Sequence, residues 1–234
     1  MSDLHGEYNK YQKMLELINF SKEDTLIING DICDRGSESA KIYLDVMQRE
    51  NVIVIKGNHE LMAQDYLERI FSEYPDNKVN SFELYKRVDL YNWFDNGGLT
   101  TMISFFDEDP QTRAKILEFI KNLPVYIELD VNEKHYVVVH GGLGDYKEFT
   151  SLEDVSEIEM LWSRPDFNKR YFEDENTFVI VGHTPTLNFC KNGEPAKIYH
   201  GVGGIIDIDC GASYLDFDGR LGCLCLNTGE EFYV

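Results

Sequence analysis

The chain of 234 residues carries 22 basic and 42 acidic side chains, a net charge of −20, and 43% of it is hydrophobic. That length fits one large unit, and residues 1–234 are expected to form a single catalytic domain. The acidic surface repels polyanions, which weighs against nucleic acid as the main partner, and no apolar run approaches the roughly 20 residues of a membrane span.

In chain order, Glu7 to Phe20 reads as a helix with Tyr8, Tyr11, Leu15 and Ile18 on one face. Thr25 to Asn29 is a short strand-like run that ends in Gly30-Asp31. Ser39 to Glu50 is helical again, with Ala40, Tyr43, Leu44 and Met47 at helical spacing. Val52 to Ile55 is a continuous apolar run of the kind buried in a parallel sheet, and Gly57-Asn58-His59 follows it. Glu60 to about Asn92 reads as mostly helical, with a break at Asp95-Asn96-Gly97-Gly98. Asp109 can cap a helix from Pro110 to Asn122.

Beyond that point strands dominate. Val125 to Val131 and His135 to Val139 read as a hairpin, and Ser151 with Asp154 resembles a capping box before a short acidic helix. Thr177–Val181, Lys197–Tyr199, Ile205–Asp209, Ser213–Phe217, Leu221–Leu226 and Glu231–Val234 are all strand-like. Alternating strand and helix followed by mostly strands predicts an α/β (α+β) layered fold, with two packed sheets flanked by helices. Five cysteines, an odd number without metal-type spacing, read as reduced thiols of a cytoplasmic protein.

Five short clusters carry the chemistry: Asp3-Leu4-His5-Gly6, Gly30 to Gly36, Gly57-Asn58-His59-Glu60, His140-Gly141-Gly142-Leu143 and Gly182-His183-Thr184-Pro185. Four of them directly follow strand-like runs, so their side chains emerge together at one sheet edge, where open α/β folds bind ligands. Carboxylate oxygen with imidazole nitrogen suits divalent manganese, iron or zinc. Asp3 and His5 can hold one ion, and Asn58, His140 and His183 a second, with Asp31 bridging. Asn58 ligates without adding negative charge, which leaves such a site attractive to a phosphate dianion. Any one cluster alone is ordinary loop chemistry; all five in this order are not.

In this order the motifs resemble the phosphoprotein phosphatase branch of the calcineurin-like metallophosphoesterases, especially its small bacterial and phage members, over about residues 2–212. The resemblance implies a β-sandwich between helical layers with a two-metal site. It implies Asp3, His5, Asp31, Asn58, His140 and His183 as ligands, His59 as the catalytic histidine and Asp34 as the carboxylate that orients it. Arg35 and Arg164 are implied as phosphate-binding arginines, with a surface role competing at Arg164. The implied reaction is hydrolysis of phosphate monoesters by water held between the ions, with phosphorylated proteins or small phosphomonoesters as substrates. A dinucleoside polyphosphate hydrolase is the runner-up, although such relatives commonly lack an acid at the position of Asp34. A nuclease fits the acidic surface poorly. A non-catalytic binding module on the same scaffold usually loses ligands, whereas every expected ligand stands here.

One feature departs from the family. Its members carry a strand just before Asp-x-His, and only Met1 and Ser2 stand there in this chain. The first strand is therefore expected to be missing, with an apolar extension of roughly five to eight residues upstream in the gene and a poorly held Asp3.

Overall fold

The computed structural model describes residues 1–75, 86–147, 151–191, 193–214 and 218–234. Its first half alternates as the periodicity predicts: α1 (Tyr8–Leu17), β1 (Leu26–Asn29), α2 (Ser39–Val46), β2 (Val52–Ile55) and α3 (Asn58–Glu73). β1 and β2 pair in parallel, with Asn29 opposite Ile55. Parallel neighbours need a crossover, and α2 supplies it. Their ends therefore lie side by side, and the loops at Gly30 and Gly57 leave the sheet at the same edge.

A helical layer follows, made of α4 (Tyr91–Asp95), α5 (Gly98–Phe106) and α6 (Pro110–Lys121). The helix expected across Glu60 to Asn92 does not run through: α3 stops at Glu73, two residues before Pro75. Residues 76–85 of that stretch lie outside the described residues. The expected break at Asp95 to Gly98 is a junction, where Gly97 at φ 96° leads directly into α5. Asp109 caps α6 as predicted, its carboxylate accepting the N–H groups of Gln111 (2.8 Å) and Thr112 (3.1 Å).

In the second half, β3 (Tyr126–Val131), β4 (Lys134–Val139), β5 (Thr177–Val181), β6 (Tyr199–His200) and β7 (Ile205–Asp207) form a mixed sheet in the order β3-β4-β5-β7-β6. β8 (Gly222–Leu224) and β9 (Glu231–Tyr233) pair as an antiparallel ribbon. The acidic helix α7 (Glu157–Trp162) begins later than expected. Its capping box is Ser156 with Glu159, while Ser151 caps only the 3₁₀ turn Leu152–Asp154. Of the strand expected at Ser213 to Phe217, Ser213 stands in a turn and residues 215–217 lie outside the described residues.

Alternation along β4 and β5 buries both sheet faces. Val137, Val139, Val179 and Val181 enter one cluster, while Tyr136, Val138 and Ile180 enter another that also takes Ile55 of β2. The latter cluster joins the two sheets, and the helices cover β1 and β2 through Ile28, Ile42, Leu67 and Ile116. This is the expected α/β layering. No helix among the described residues is long and apolar enough to cross a membrane.

The segment before Leu4 is not loose. The Met1 amino group donates to Ile27 O (3.1 Å), Asn29 N–H donates to Met1 O (2.9 Å), and Asp3 N–H donates to Gly30 O (3.1 Å). Met1 to Asp3 thus lie along β1, and Asp3 is 2% exposed. The weak backbone support expected for Asp3 is absent from the structure.

Glu60 holds the two loops at the sheet edge together. Fully buried, it accepts N–H groups from Asp31, Ile32 and Gly57, each at 2.8 Å, and the Tyr43 hydroxyl at 2.7 Å. Glu60→Ala leaves those donors buried without an acceptor, and we expect a loss of about 3–5 kcal/mol in urea unfolding, with Glu60→Gln losing less. A loss under about 1 kcal/mol would show that water replaces the carboxylate.

Candidate active site

Four of the five clusters sit just past a strand end, and several of the candidate side chains stand on unusual backbone. Among the described residues ten non-glycine positions have positive φ, and six of them are Asp3, His5, Asp31, Asp34, Arg35 and His183. Left-handed backbone costs such residues of order 1–3 kcal/mol each, and it persists where the surroundings over-determine it. Glycine gives the approach room at two points. A Cβ at Gly57 would strike the Asp31 carboxylate, and one at Gly182 would strike Ser2 and the Asp3 carboxylate.

Asp31 sits at the centre. Its Oδ2 lies 3.2 Å from His140 Nε2 and 3.8 Å from both His5 Nε2 and His59 Nε2. Two groups of metal-capable atoms share it: His5, Asp31 and His59 in one, Asp31, His140 and His183 in the other. Asp3 Oδ1 stands 4.0 Å from His5 Nε2, while Asp3 Oδ2 accepts the His183 N–H (3.2 Å) and the Ser2 hydroxyl. Asn58 Oδ1 is 3.0 Å from His140 Nε2 and 2.9 Å from His183 Nδ1. All six expected ligands therefore converge, with Asp31 between the two sets.

Second contacts orient the rings. His5 Nδ1 faces Cys33 O at 2.8 Å, and His140 Nδ1 faces Asn29 O at 2.9 Å. Each Nδ1–H donates to its carbonyl, which turns Nε2 toward the centre. Burial, with nearby cationic groups, holds His5 well below the ordinary imidazole value, and burial with His140 lowers His183 to about 3. Both rings are thus neutral, as a metal ligand must be. Burial disfavours charge on His140 too, but Asp31 beside it lifts it to about 10, a proton that a cation would displace.

His59 is placed differently. Its Nδ1 lies 2.7 Å from Asp34 Oδ2, and Asp34 is fully buried under the indole N–H of Trp93 (3.0 Å) and the hydroxyl of Thr101 (2.7 Å). Arg35 Nη2 is 3.4 Å from His59 Nε2, and its guanidinium lies 5.4 Å from the Tyr214 ring centre. Arg164 is exposed, yet it is tethered: Nη1 donates to His183 O (3.2 Å) and Thr184 Oγ1 (2.8 Å). Both arginines border a cleft of about 110 Å³ whose floor includes Asp3, Asp31, Asn58, His59 and His183.

The model of the calcineurin-like phosphoesterase family matches residues 1–203. This chain belongs to that family. It is 30% identical over 166 residues to "Serine/threonine-protein phosphatase 2" of Salmonella typhimurium, covering 70% of this chain and 66% of that protein. It spans, then, just under two thirds of that relative. It is also 31% identical over 219 residues to "Bis(5'-nucleosyl)-tetraphosphatase, symmetrical" of Proteus mirabilis, covering 90% of this chain and 70% of that protein. A crystal structure provisionally described as a diadenosine tetraphosphatase superposes with a TM-score of 0.64 at 15% identity, over 100% of this chain and 90% of that one, which establishes the shared fold.

The family is metal-dependent, and the residues of this phosphoesterase fit that requirement. Donor atoms 2.9–3.2 Å apart, as around Asn58 and His140, are spaced as neighbours on a single ion with bonds near 2.1 Å. The more open spacing around His5 leaves room for Asp3 to join.

Sequence reading missed several residues at this calcineurin-like centre. Asp209 is 3% exposed, and burial with the nearby Asp31 carboxylate pushes its carboxyl up to about 6; Asp207, fully buried, is raised well above the usual carboxylate range by burial and by Asp209. The signal was present, because Asp209-Cys210-Gly211 follows a strand as the other motifs do. Trp162 and Tyr214, which border the cleft, lie in loop and helix-end segments without such a signature. Cys33 is buried, and burial with Asp34 and Glu60 drives its thiol well above the usual value, so it is a packing residue. His135 and His200 pair with surface carboxylates away from the centre.

Proposed function

We propose that this phosphoesterase is a metal-dependent phosphomonoesterase of the serine/threonine protein phosphatase kind. In this reading it uses two divalent ions, with manganese, iron or zinc suited to the oxygen and nitrogen donors. Asp3 and His5 would hold one ion and Asn58, His140 and His183 the other, with Asp31, which belongs to both metal-capable groups, shared between them. When bound, such ions supply Lewis acidity toward phosphoryl oxygens and acidify a water for in-line attack.

The chain's own residues do the rest. Arg35 and Arg164, on the cleft border, bind the outer phosphoryl oxygens through forked donors. In its protonated form His59 donates Nδ1–H to Asp34 and carries a second proton on Nε2, the one available to the departing alkoxide. Burial opposes that charge, but Asp31 and Asp34 raise His59 above the ordinary imidazole value, which favours its acid form. Trp93 and Thr101 hold Asp34 in register for this task.

The observation that carries the protein phosphatase reading is the Asp34–His59 pair at 2.7 Å. Dinucleoside polyphosphate hydrolases of this branch commonly lack that acid. The second reading, a dinucleoside tetraphosphatase, draws on the Proteus mirabilis relative, which spans 90% of this chain. Assays of phosphoserine peptides against diadenosine tetraphosphate, with manganese present and then chelated, decide between them. Faster turnover of the dinucleotide would overturn the first reading, and full activity in chelator would overturn both.

The arginines offer a separate check. A monoester presents three free oxygens and an extra charge, so Arg35→Ala and Arg164→Ala should each lower kcat/KM for p-nitrophenyl phosphate by roughly 10- to 100-fold. The loss on bis-p-nitrophenyl phosphate should be smaller. Unchanged monoester kinetics in Arg164→Ala would make it a surface residue only.

A further inference from the structure

The catalytic cleft, at about 110 Å³, has room for little beyond a phosphoryl group. It opens across Arg164, Pro185 and Tyr214 into a groove of about 780 Å³, and those three residues line both spaces. A group attached to the phosphoryl has this threshold as a way out of the cleft. The groove beyond is the adjoining space that receives it.

Its lining is mixed. Leu187 and Cys190 give apolar surface, and Asn188 presents an amide that can pair with a backbone. Beyond the threshold the charged lining among the described residues is Lys191 against Glu194 and Asp218. All three are exposed. The segments bearing the two acids are bound to one another, since Ala196 N–H donates to Asp218 O at 3.4 Å. One cation against two anions leaves the outer groove net negative, inside a chain whose charge is −20.

We infer that this groove holds the polypeptide on one side of the phosphorylated residue, and that Glu194 and Asp218 select a basic side chain in it. This deepens the protein phosphatase reading and rests on it. The phosphate itself is held by Arg35, Arg164 and the metal centre, so those positive groups are used up at the cleft. A second run of phosphates would meet the two carboxylates with only Lys191 to offset them. A neutral backbone with a lysine or arginine meets complementary charge instead.

The test uses the intact, metal-loaded protein and matched phosphoserine peptides that differ only in carrying Lys or Glu two to three residues from the phosphoserine, on either side. The lysine peptide on one side should be preferred by about 3- to 10-fold in kcat/KM, as two exposed ion pairs allow. The preference should shrink as salt is raised. The double variant Glu194→Gln/Asp218→Asn should bring the ratio below about 2-fold, while turnover of p-nitrophenyl phosphate stays unchanged. Glu194→Lys/Asp218→Lys should reverse the preference. Hydrolysis of both peptides at equal rates, or a preference that survives the double variant, overturns the inference and leaves the phosphatase reading standing. No hydrolysis of any phosphopeptide, with dinucleotide turnover intact, overturns that reading and the inference with it.

Discussion

Replacing Asp31 by Asn is expected to lower kcat/KM on p-nitrophenyl phosphate by roughly 10³-fold or more, and to reduce bound metal from about two ions per chain to one or none. The expectation follows from where one carboxylate stands. Its Oδ2 is within 3.2–3.8 Å of His5, His59 and His140, and its Oδ1 accepts the His59 N–H at 3.1 Å. No other carboxylate belongs to both metal-capable groups among the described residues. An amide keeps the shape and loses the charge, so it would be a weaker ligand for the two ions proposed here. The acidic neighbours Asp3 and Asp209 would then stand beside imidazoles with less to hold them apart. Elemental analysis with kinetics in excess manganese tests this. Near-normal occupancy with activity within 10-fold of the parent would show that Asp31 does not bridge, and circular dichroism would confirm that the variant is folded.

How much of this centre was legible depended on the length scale of the signal. Asp3, His5, Asp31, Asn58, His140 and His183 each sit in a short Gly-flanked cluster, four of them after an apolar run, and the structure brings all six together. A strand end is local, so the chain writes it in consecutive residues. Glu60 shows the opposite case. Its role is set by three amides from two loops that meet only because β1 and β2 pair in parallel. Trp93 and Thr101 reach Asp34 from α4 and α5, across 59 and 67 residues of chain, and no periodicity could foretell that contact. The expected capping box failed for a simpler reason. Ser151 and Ser156 both precede acidic residues, and only the second leads into apolar residues at helical spacing, Ile158 and Leu161.

His59→Asn is expected to separate acid catalysis from metal binding. His59 falls within one metal-capable group by distance, since its Nε2 is 3.8 Å from Asp31 Oδ2. Its other nitrogen, however, is committed to Asp34 at 2.7 Å, and Arg35 lies 3.4 Å from the same Nε2. A cationic neighbour suits a ring that faces an anionic substrate better than one that faces a metal ion. On an alkyl phosphate such as phosphoserine peptide, turnover should fall by roughly 10²- to 10⁴-fold, the range of general acid catalysis. On p-nitrophenyl phosphate the leaving oxygen needs almost no proton, and the loss should be far smaller. Metal content should stay near two ions per chain. Asp34→Asn should show the same substrate dependence in weaker form, because it changes the orientation and charge of His59 without removing the ring. Should His59→Asn lose a metal ion and damage both substrates equally, the residue is a ligand of the first site, and the proton for the leaving group must come from solvent.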